Sequence, residues 1–136
     1  MTGLTSNLFL RAAVPGPPAA PEISNILSTS CSVKYQLPVD EGDAQVTGYH
    51  VQRGAVIGGA AVQWEMVNST PITALELIDD QLKPNSEYQF RVAAVNENGM
   101  GDFSPPSLSI TSFPDPESES SRPSAIQRYM PYALQD

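Results

Sequence analysis

The sequence predicts an all-β protein, an antiparallel β-sandwich of seven strands, and three observations lead to this fold class. First, residues 87–94 alternate strictly between an apolar face and a more polar face, which is the period of a half-buried β-strand. Second, turns rich in proline, glycine, asparagine and aspartate separate the apolar runs along the chain. Third, a length of 136 residues fits one sandwich of about 100 residues with tails.

Six further runs complete the predicted sandwich. They place strands at residues 22–27, 31–37, 46–53, 64–67, 73–77 and 108–110. Because side chains alternate along a strand, one set of residues should face the core. This core set comprises Val33, Tyr35, Tyr49, Val51, Trp64, Leu75, Leu82, Tyr88, Phe90 and Val92. The inward parity is shared by Cys31, Leu37, Leu108 and Ile110.

A leucine and a tyrosine bracket the turn before the strand at residues 87–94. Leu82 should fill the core at the corner, and the Tyr88 hydroxyl should reach back to the backbone near the turn at Pro84 and Asn85. This arrangement is a tyrosine corner, which occurs in immunoglobulin-like sandwiches. The predicted sandwich is therefore immunoglobulin-like.

The same stretch resembles the last hairpin of a fibronectin type III domain, whose pattern is L-x-P-x-x-x-Y-x-F-R-V-x-A-x-N-x-x-G. The matching positions are Leu82, Pro84, Tyr88, Phe90, Arg91, Val92, Ala94, Asn96 and Gly99. The V-P-G-P-P run at 14–18 and the run at 46–53 resemble modules of the titin, twitchin and myosin-binding protein C group of intracellular muscle proteins. Three positions depart from the family's W-x-P-P-x-D-G-G pattern. Tyr35 stands where a tryptophan is usual, and Leu37 and Glu41 also differ. A tyrosine fits there only if its hydroxyl finds a partner.

The chain divides into three parts on composition. We expect residues 1–14 to be an N-terminal tail or the frayed end of a preceding domain, and residues 15–113 to be the fibronectin type III domain. Residues 114–136 should be an acidic, disordered linker with a short apolar C-terminal segment. That segment carries four large side chains, which we expect to dock on a partner or an adjacent domain: Ile126, Tyr129, Met130 and Tyr132.

Charge and cysteine content exclude several classes of partner. The formal net charge is −8 and no basic residues cluster, so nucleic acid and anionic membrane surfaces are not expected partners. No stretch is long and apolar enough to span a bilayer. The single cysteine cannot form an internal disulfide, and we expect the domain itself to be monomeric.

The sequence predicts no catalytic, cofactor or metal site. The carboxylates of Asp40, Glu41 and Asp43 lack the spacing of a calcium loop, and Asp79 with Asp80 reads as an ordinary turn pair. His50 is the only histidine and should point away from the core, so it lacks partners for acid–base work. We expect no enzymatic activity.

The family resemblance implies a non-catalytic interaction and spacer module of a larger multidomain intracellular scaffold. The expected location is the cytoplasm, in a sarcomere or cytoskeleton, and the expected partners are other proteins, myosin or neighbouring immunoglobulin-like domains among them. His50, Gln52 and Arg91 would lie with Ala93 on an exposed sheet face that could bind such partners.

Two alternatives stay open. The first is an extracellular module of an adhesion molecule or receptor ectodomain, in which Asn68 of the N-S-T motif would carry a glycan. The second is a regulatory domain that precedes a kinase in a cytoplasmic enzyme, with the acidic segment as linker.

Overall fold

The structure, a computed structural model, describes residues 12–115, which form eight β-strands. In chain order they are β1 (Glu22–Ser24), β2 (Cys31–Lys34), β3 (Gly48–Ile57), β4 (Ala60–Met66), β5 (Glu76–Asp79), β6 (Glu87–Asn96), β7 (Gly99–Met100) and β8 (Ile110–Thr111). Within these residues no helix is long and apolar enough to cross a membrane.

The strands form two antiparallel sheets that face each other across the core. The smaller sheet has the order β1-β2-β5, and the larger has the order β4-β3-β6-β7, with β8 also paired to β6. The long strands β3 and β6 lie at the centre of the larger sheet and pair from Gly48↔Val95 to Ala55↔Tyr88. Both β7 and β8 pair with β6, but the sequence predicted only the second of them, as the strand at residues 108–110. The all-β, immunoglobulin-like sandwich is confirmed.

Most of the expected core set is buried between the sheets. The buried members are Val33, Tyr35, Tyr49, Val51, Leu82, Tyr88, Phe90 and Val92. The rings of Tyr35 and Tyr49 pack with their centroids 4.9 Å apart. The Tyr35 hydroxyl donates a hydrogen bond of 2.8 Å to the Ala74 carbonyl, which allows a tyrosine in place of the family's tryptophan.

The tyrosine corner forms at the turn before β6. The backbone N–H of Lys83 donates a hydrogen bond of 2.8 Å to the Tyr88 hydroxyl oxygen, and Leu82 is buried beneath it. The bond joins residues five positions apart and ties the turn to the strand that follows.

The last strand is interrupted because Pro105 and Pro106 have no N–H to donate. One serine on each side of this proline pair replaces the missing hydrogen bonds of the ladder. The Ser104 hydroxyl accepts from the Val92 N–H at 3.1 Å, and the Ser107 hydroxyl accepts from the Phe90 N–H at 3.0 Å. The backbone groups of β6 are thus satisfied without a continuous partner strand.

Three leucines expected to face the core are exposed, and each lies outside a strand. Leu75 precedes β5 and is 47% exposed, so its assignment to the core was wrong. Leu37 follows the end of β2 and is half exposed. Leu108 lies in the interrupted strand before β8 and is 89% exposed. Alternation predicts the facing of a side chain only where the backbone is paired.

Trp64 is a fourth departure from the expected core. The pairing of β3 with β4 slips between Arg53 and Ala55, so that two residues of β4 oppose Gly54 alone. Gln63, one of those two residues, has a positive φ of 53°. Such a β-bulge redirects the side chains that follow it. Trp64 is therefore only partly buried and lies on the outer face of the larger sheet, away from the core.

Candidate protein-interaction site

The outer face of the larger sheet carries an arginine held between two aromatic rings. The guanidinium carbon of Arg91 lies 4.3 Å from the centroid of Trp64 and 4.6 Å from that of Phe103. The Arg91 Nε–H donates a hydrogen bond of 2.8 Å to the Gln52 side-chain oxygen. We call Trp64, Arg91 and Phe103 the arginine stack.

Three local features bring the stack together. Arg91 lies on the outer side of β6 because its neighbours Phe90 and Val92 are fully buried. Trp64 packs over Gly54, where a Cβ atom would come within 3.1 Å of the indole ring. Phe103 is placed by the next residue, Ser104, whose N–H donates to the Val92 carbonyl at 2.8 Å.

Arg91 makes no ion pair with any residue in the range 12–115. The two ion pairs in this range both belong to Arg53. Burial between the rings lowers the pKa of Arg91 from its ordinary value, but an arginine stays charged at neutral pH. The stack therefore presents an uncompensated positive charge beside exposed aromatic surface.

His50 lies on the same outer face, one register step from Gln52. It is partly exposed, and its Nδ1 atom is buried without a hydrogen-bond partner among the described residues. Ala93 pairs with His50 across the strands and is completely buried. The expectation that Ala93 offers surface for a partner was wrong, since Ala93 has no exposed surface.

The inner face of the larger sheet holds the second arginine in a different setting. Arg53 Nη1 donates to Asp79 Oδ2 at 2.7 Å, and Arg53 Nη2 donates to Glu65 Oε1 at 2.9 Å. The Asp79 side chain is completely buried, so Asp79 is not the solvated turn residue that the sequence indicated. Burial, and then the charge of Asp79, raises the pKa of Cys31 from 9.0 to about 12. Cys31 is thus a buried thiol at neutral pH.

At one end of the sandwich two loops hold the N-terminal segment at residues 13–16. The Ala13 N–H donates to Asp43 Oδ2 at 2.7 Å, and the Asp43 N–H donates to the Ala13 carbonyl at 3.1 Å. The Asn96 side-chain amide also donates to the Ala13 carbonyl, at 3.1 Å. The Gly16 N–H donates to the Asp40 carbonyl at 2.8 Å. We call this arrangement the linker clamp. It fixes the direction in which the chain enters the domain.

Two glycines make room for the linker clamp. Gly42 has a φ of +81°, and a Cβ atom there would lie 2.6 Å from the carbonyl oxygens of Ala13 and Val14. At Gly101 a Cβ atom would overlap the carbonyl oxygen of Pro15. Any side chain at either position would push the linker away from the domain.

In the acidic loop near the clamp, the carboxylates of Asp40 and Glu41 accept hydrogen bonds from backbone N–H groups. Asp40 Oδ1 accepts from the Gly42 N–H at 2.9 Å, and Glu41 Oε1 accepts from the Val46 N–H at 2.9 Å. Asp43 belongs to the clamp. Across residues 12–115 no group of three or more His, Cys, Asp or Glu side chains could hold a metal ion.

The side-chain amide of Asn68 makes hydrogen bonds to the backbone of β3 that a neighbouring strand would otherwise make. Its Oδ1 atom accepts from the Val51 N–H at 2.9 Å, and its Nδ2 atom donates to the carbonyls of Tyr49 and Thr70 at 2.9 and 2.8 Å. An N-linked glycan replaces one of the two hydrogens on Nδ2. In this fold both hydrogens are already used.

The remaining candidate residues, Ile126, Tyr129, Met130 and Tyr132, lie outside the described residues. Sequence reasoning found Gln52 and Arg91 but did not place Trp64 and Phe103 beside them. No periodic signal connects residues 64, 91 and 103. The inward position of Arg53, though not its pairing with Asp79, had a usable signal, because Arg53 shares the inward parity of Tyr49 and Val51.

Comparison with known proteins agrees with this architecture. The chain is 32% identical to the titin homolog of Caenorhabditis elegans over 88 residues. The aligned region covers 64% of this chain and, as a rounded figure, 0% of that protein. It is 34% identical to cardiac-type myosin-binding protein C of Gallus gallus over 94 residues. That aligned region covers 69% of this chain and 7% of the relative. The chain thus spans less than a tenth of either relative.

The solved structures lead to the same group. A crystal structure of titin domains matches with a TM-score of 0.68 at 27% identity, over 75% of this chain and 33% of that one. The resemblance to the titin and myosin-binding protein C group is thereby confirmed. Residues 16–110, more than half of the chain, match the fibronectin type III domain. The chain belongs to the fibronectin type III domain family.

Proposed function

We propose that this chain is a non-catalytic spacer and docking module of a larger intracellular scaffold in the sarcomere or cytoskeleton. The observation that carries the proposal is the linker clamp. A spacer must pass a defined orientation from one domain to the next, and a linker held by hydrogen bonds to two loops does this better than a free one. The similarity to titin and to myosin-binding protein C supports the scaffold setting.

The proposed docking partners are proteins, with myosin and neighbouring immunoglobulin-like domains first. Myosin is favoured because one relative is named for binding it. The docking surface is the outer face of the larger sheet, around His50, Gln52 and Arg91. We propose that the apolar segment at residues 126–134 adds a second contact, to a partner or to an adjacent domain. The extracellular alternative has less support, because Asn68 uses both amide hydrogens within the fold.

Breaking the linker clamp tests the spacer role. Asn96→Ala removes the bond to the Ala13 carbonyl and also those to the carbonyls of Glu41 and Ala44. We expect the Asp43 and Gly16 amides to exchange their hydrogens faster than in the wild type. The control is Gln36→Ala, because Gln36 is exposed and follows β2 of the smaller sheet. Unchanged exchange at both amides would show that the clamp does not hold the linker.

Co-sedimentation with myosin filaments tests the docking role. The full chain should pellet with the filaments in a saturable way, and a chain ending at residue 115 should bind more weakly. Native material should be found in the cytosolic or filament fraction without glycan on Asn68. Glycosylated native chain would overturn the intracellular assignment.

A further inference from the structure

We propose that the arginine stack binds a carboxylate side chain of a partner protein, one that is flanked by apolar residues. The inference deepens the proposed docking role and rests on it. It names the chemical group on the partner that the outer face of the larger sheet would bind.

The first argument is the geometry of the guanidinium. Trp64 and Phe103 cover its two faces at 4.3 and 4.6 Å, and Gln52 occupies the Nε–H. Neither Nη nitrogen of Arg91 has a hydrogen-bond partner within residues 12–115, and neither is buried. A ligand can therefore approach only at the edge formed by the Nη groups. A carboxylate fits this edge because its two oxygens match the two parallel N–H donors.

The second argument is charge. The chain carries 15 aspartates and glutamates against seven lysines and arginines, yet Arg91 is paired with none of them in the described range. The register neighbours of Arg91 on this face, Gln52, Gln89 and Ala93, are all neutral. A single carboxylate would neutralise the stack. A multiply charged phosphate ligand would need further cations, which these neighbours do not supply.

The third argument is the apolar surface around the charge. Met66 pairs with Gln52 at the edge of the same face and is 44% exposed. Trp64 and Phe103 are only partly buried. Tryptophan and arginine are enriched among the residues that dominate binding energy at protein interfaces. Because the rings and Gln52 already hold the arginine in place, little side-chain entropy is lost on binding.

The test uses the single tryptophan of the chain as its reporter. The full chain is titrated with acetyl-Leu-Glu-Phe-amide and, separately, with acetyl-Leu-Gln-Phe-amide, while Trp64 fluorescence and the Arg91 Nε–H resonance are followed. We expect the Glu peptide to shift both signals and to bind at least fivefold more tightly than the Gln peptide. Equal affinities would overturn the proposal, and so would an Arg91-dependent response to inorganic phosphate stronger than that to the Glu peptide.

Matched variants assign the response to the stack. Arg91→Gln should abolish the preference for the Glu peptide, and Lys34→Gln should keep it, although both remove one positive charge. Lys34 is exposed on the smaller sheet. Arg91→Lys keeps the charge but not the paired donors, so it should retain only part of the preference. This variant serves if Arg91→Gln fails to fold. Full preference in Arg91→Lys would overturn the two-donor geometry.

Co-sedimentation with myosin filaments separates the two proposals. If the wild type and Arg91→Gln pellet equally, the docking role stands and the carboxylate inference fails. If neither pellets but the Glu peptide binds through Arg91, the carboxylate site stands and myosin is the wrong partner.

Discussion

Two arginines on adjacent rungs of one sheet have opposite settings. Arg53 pairs with Phe90 in the register and faces the core, while Arg91 pairs with Gln52 and faces outward. Around Arg53 lies a buried cluster of Cys31, Asp79 and Tyr88, and the Arg53 guanidinium carbon is 6.0 Å from the Tyr88 ring. Arg91 instead contacts the neutral Gln52 side chain and two partly buried aromatic rings.

The difference follows from the cost of burying charge. The Arg53 side chain is 12% exposed, and such a group must find a carboxylate because an unpaired buried charge is strongly destabilising. Arg91 keeps contact with water and can remain unpaired. The buried cluster therefore stabilises the fold, whereas the arginine stack retains a charge that a partner can use. Four predictions test this contrast, from the largest expected effect to the smallest.

The largest effect is expected at the buried cluster. Asp79→Ala leaves Arg53 without its buried partner and removes the acceptor of the Gln81 N–H. We expect the free energy of unfolding to fall by about 3–5 kcal/mol in urea melts. A double change, Arg53→Met with Asp79→Leu, should restore most of the loss. A single-variant loss below about 1 kcal/mol would contradict the structural role of the pair.

The tyrosine corner should give the next effect. Tyr88→Phe leaves the Lys83 N–H without its acceptor, and we expect a loss of about 1–3 kcal/mol. Urea melts of Tyr88→Phe and wild type at the same pH measure it. Identical midpoints would mean that water replaces the hydroxyl at no cost.

Alkaline pH should weaken the buried cluster through Cys31. Its pKa is 9.0 in an ordinary setting and about 12 in the fold, so between these values the unfolded chain loses a proton that the folded chain keeps. The free energy of unfolding therefore falls as pH rises above 9. Burial also raises the pKa of Tyr35 from 10.0 to about 12, which adds to the fall above pH 10.

Urea melts at pH 8, 9 and 10 measure this slope. Cys31→Ala should flatten it between pH 9 and 10, whatever the variant's stability at pH 8. A slope that is the same in both proteins would show that Cys31 does not titrate in this way.

The smallest effect on stability is expected at the arginine stack. Arg91→Gln loses two partly exposed cation–π contacts, for which we expect about 1 kcal/mol. Comparison with Asp79→Ala in the same buffer checks the contrast between the two regions. Equal losses for the two variants would mean that the stack is mainly structural.

Much of the fold could be predicted because its signals are local. The alternation through Tyr88, Phe90 and Val92 follows from the two-residue period of a strand, and it survives wherever the strand is paired. Leu82 and Tyr88 predicted the corner because the bond spans only five residues. Leu75 and Leu108 were misassigned because they lie outside the paired segments, whose ends depend on the partner strand.

By itself, the sequence determined the sandwich, the family and the outward position of Gln52 and Arg91. All of these depend on the order of residues within a single strand or turn. Only the tertiary structure decided which residues meet: the bulge that turns Trp64 outward, the placing of Phe103 beside Arg91, and the pairing of Arg53 with Asp79 from the other sheet. These contacts join residues 12 to 27 positions apart. Their partners are selected by strand register, which side-chain periodicity within a single strand does not encode.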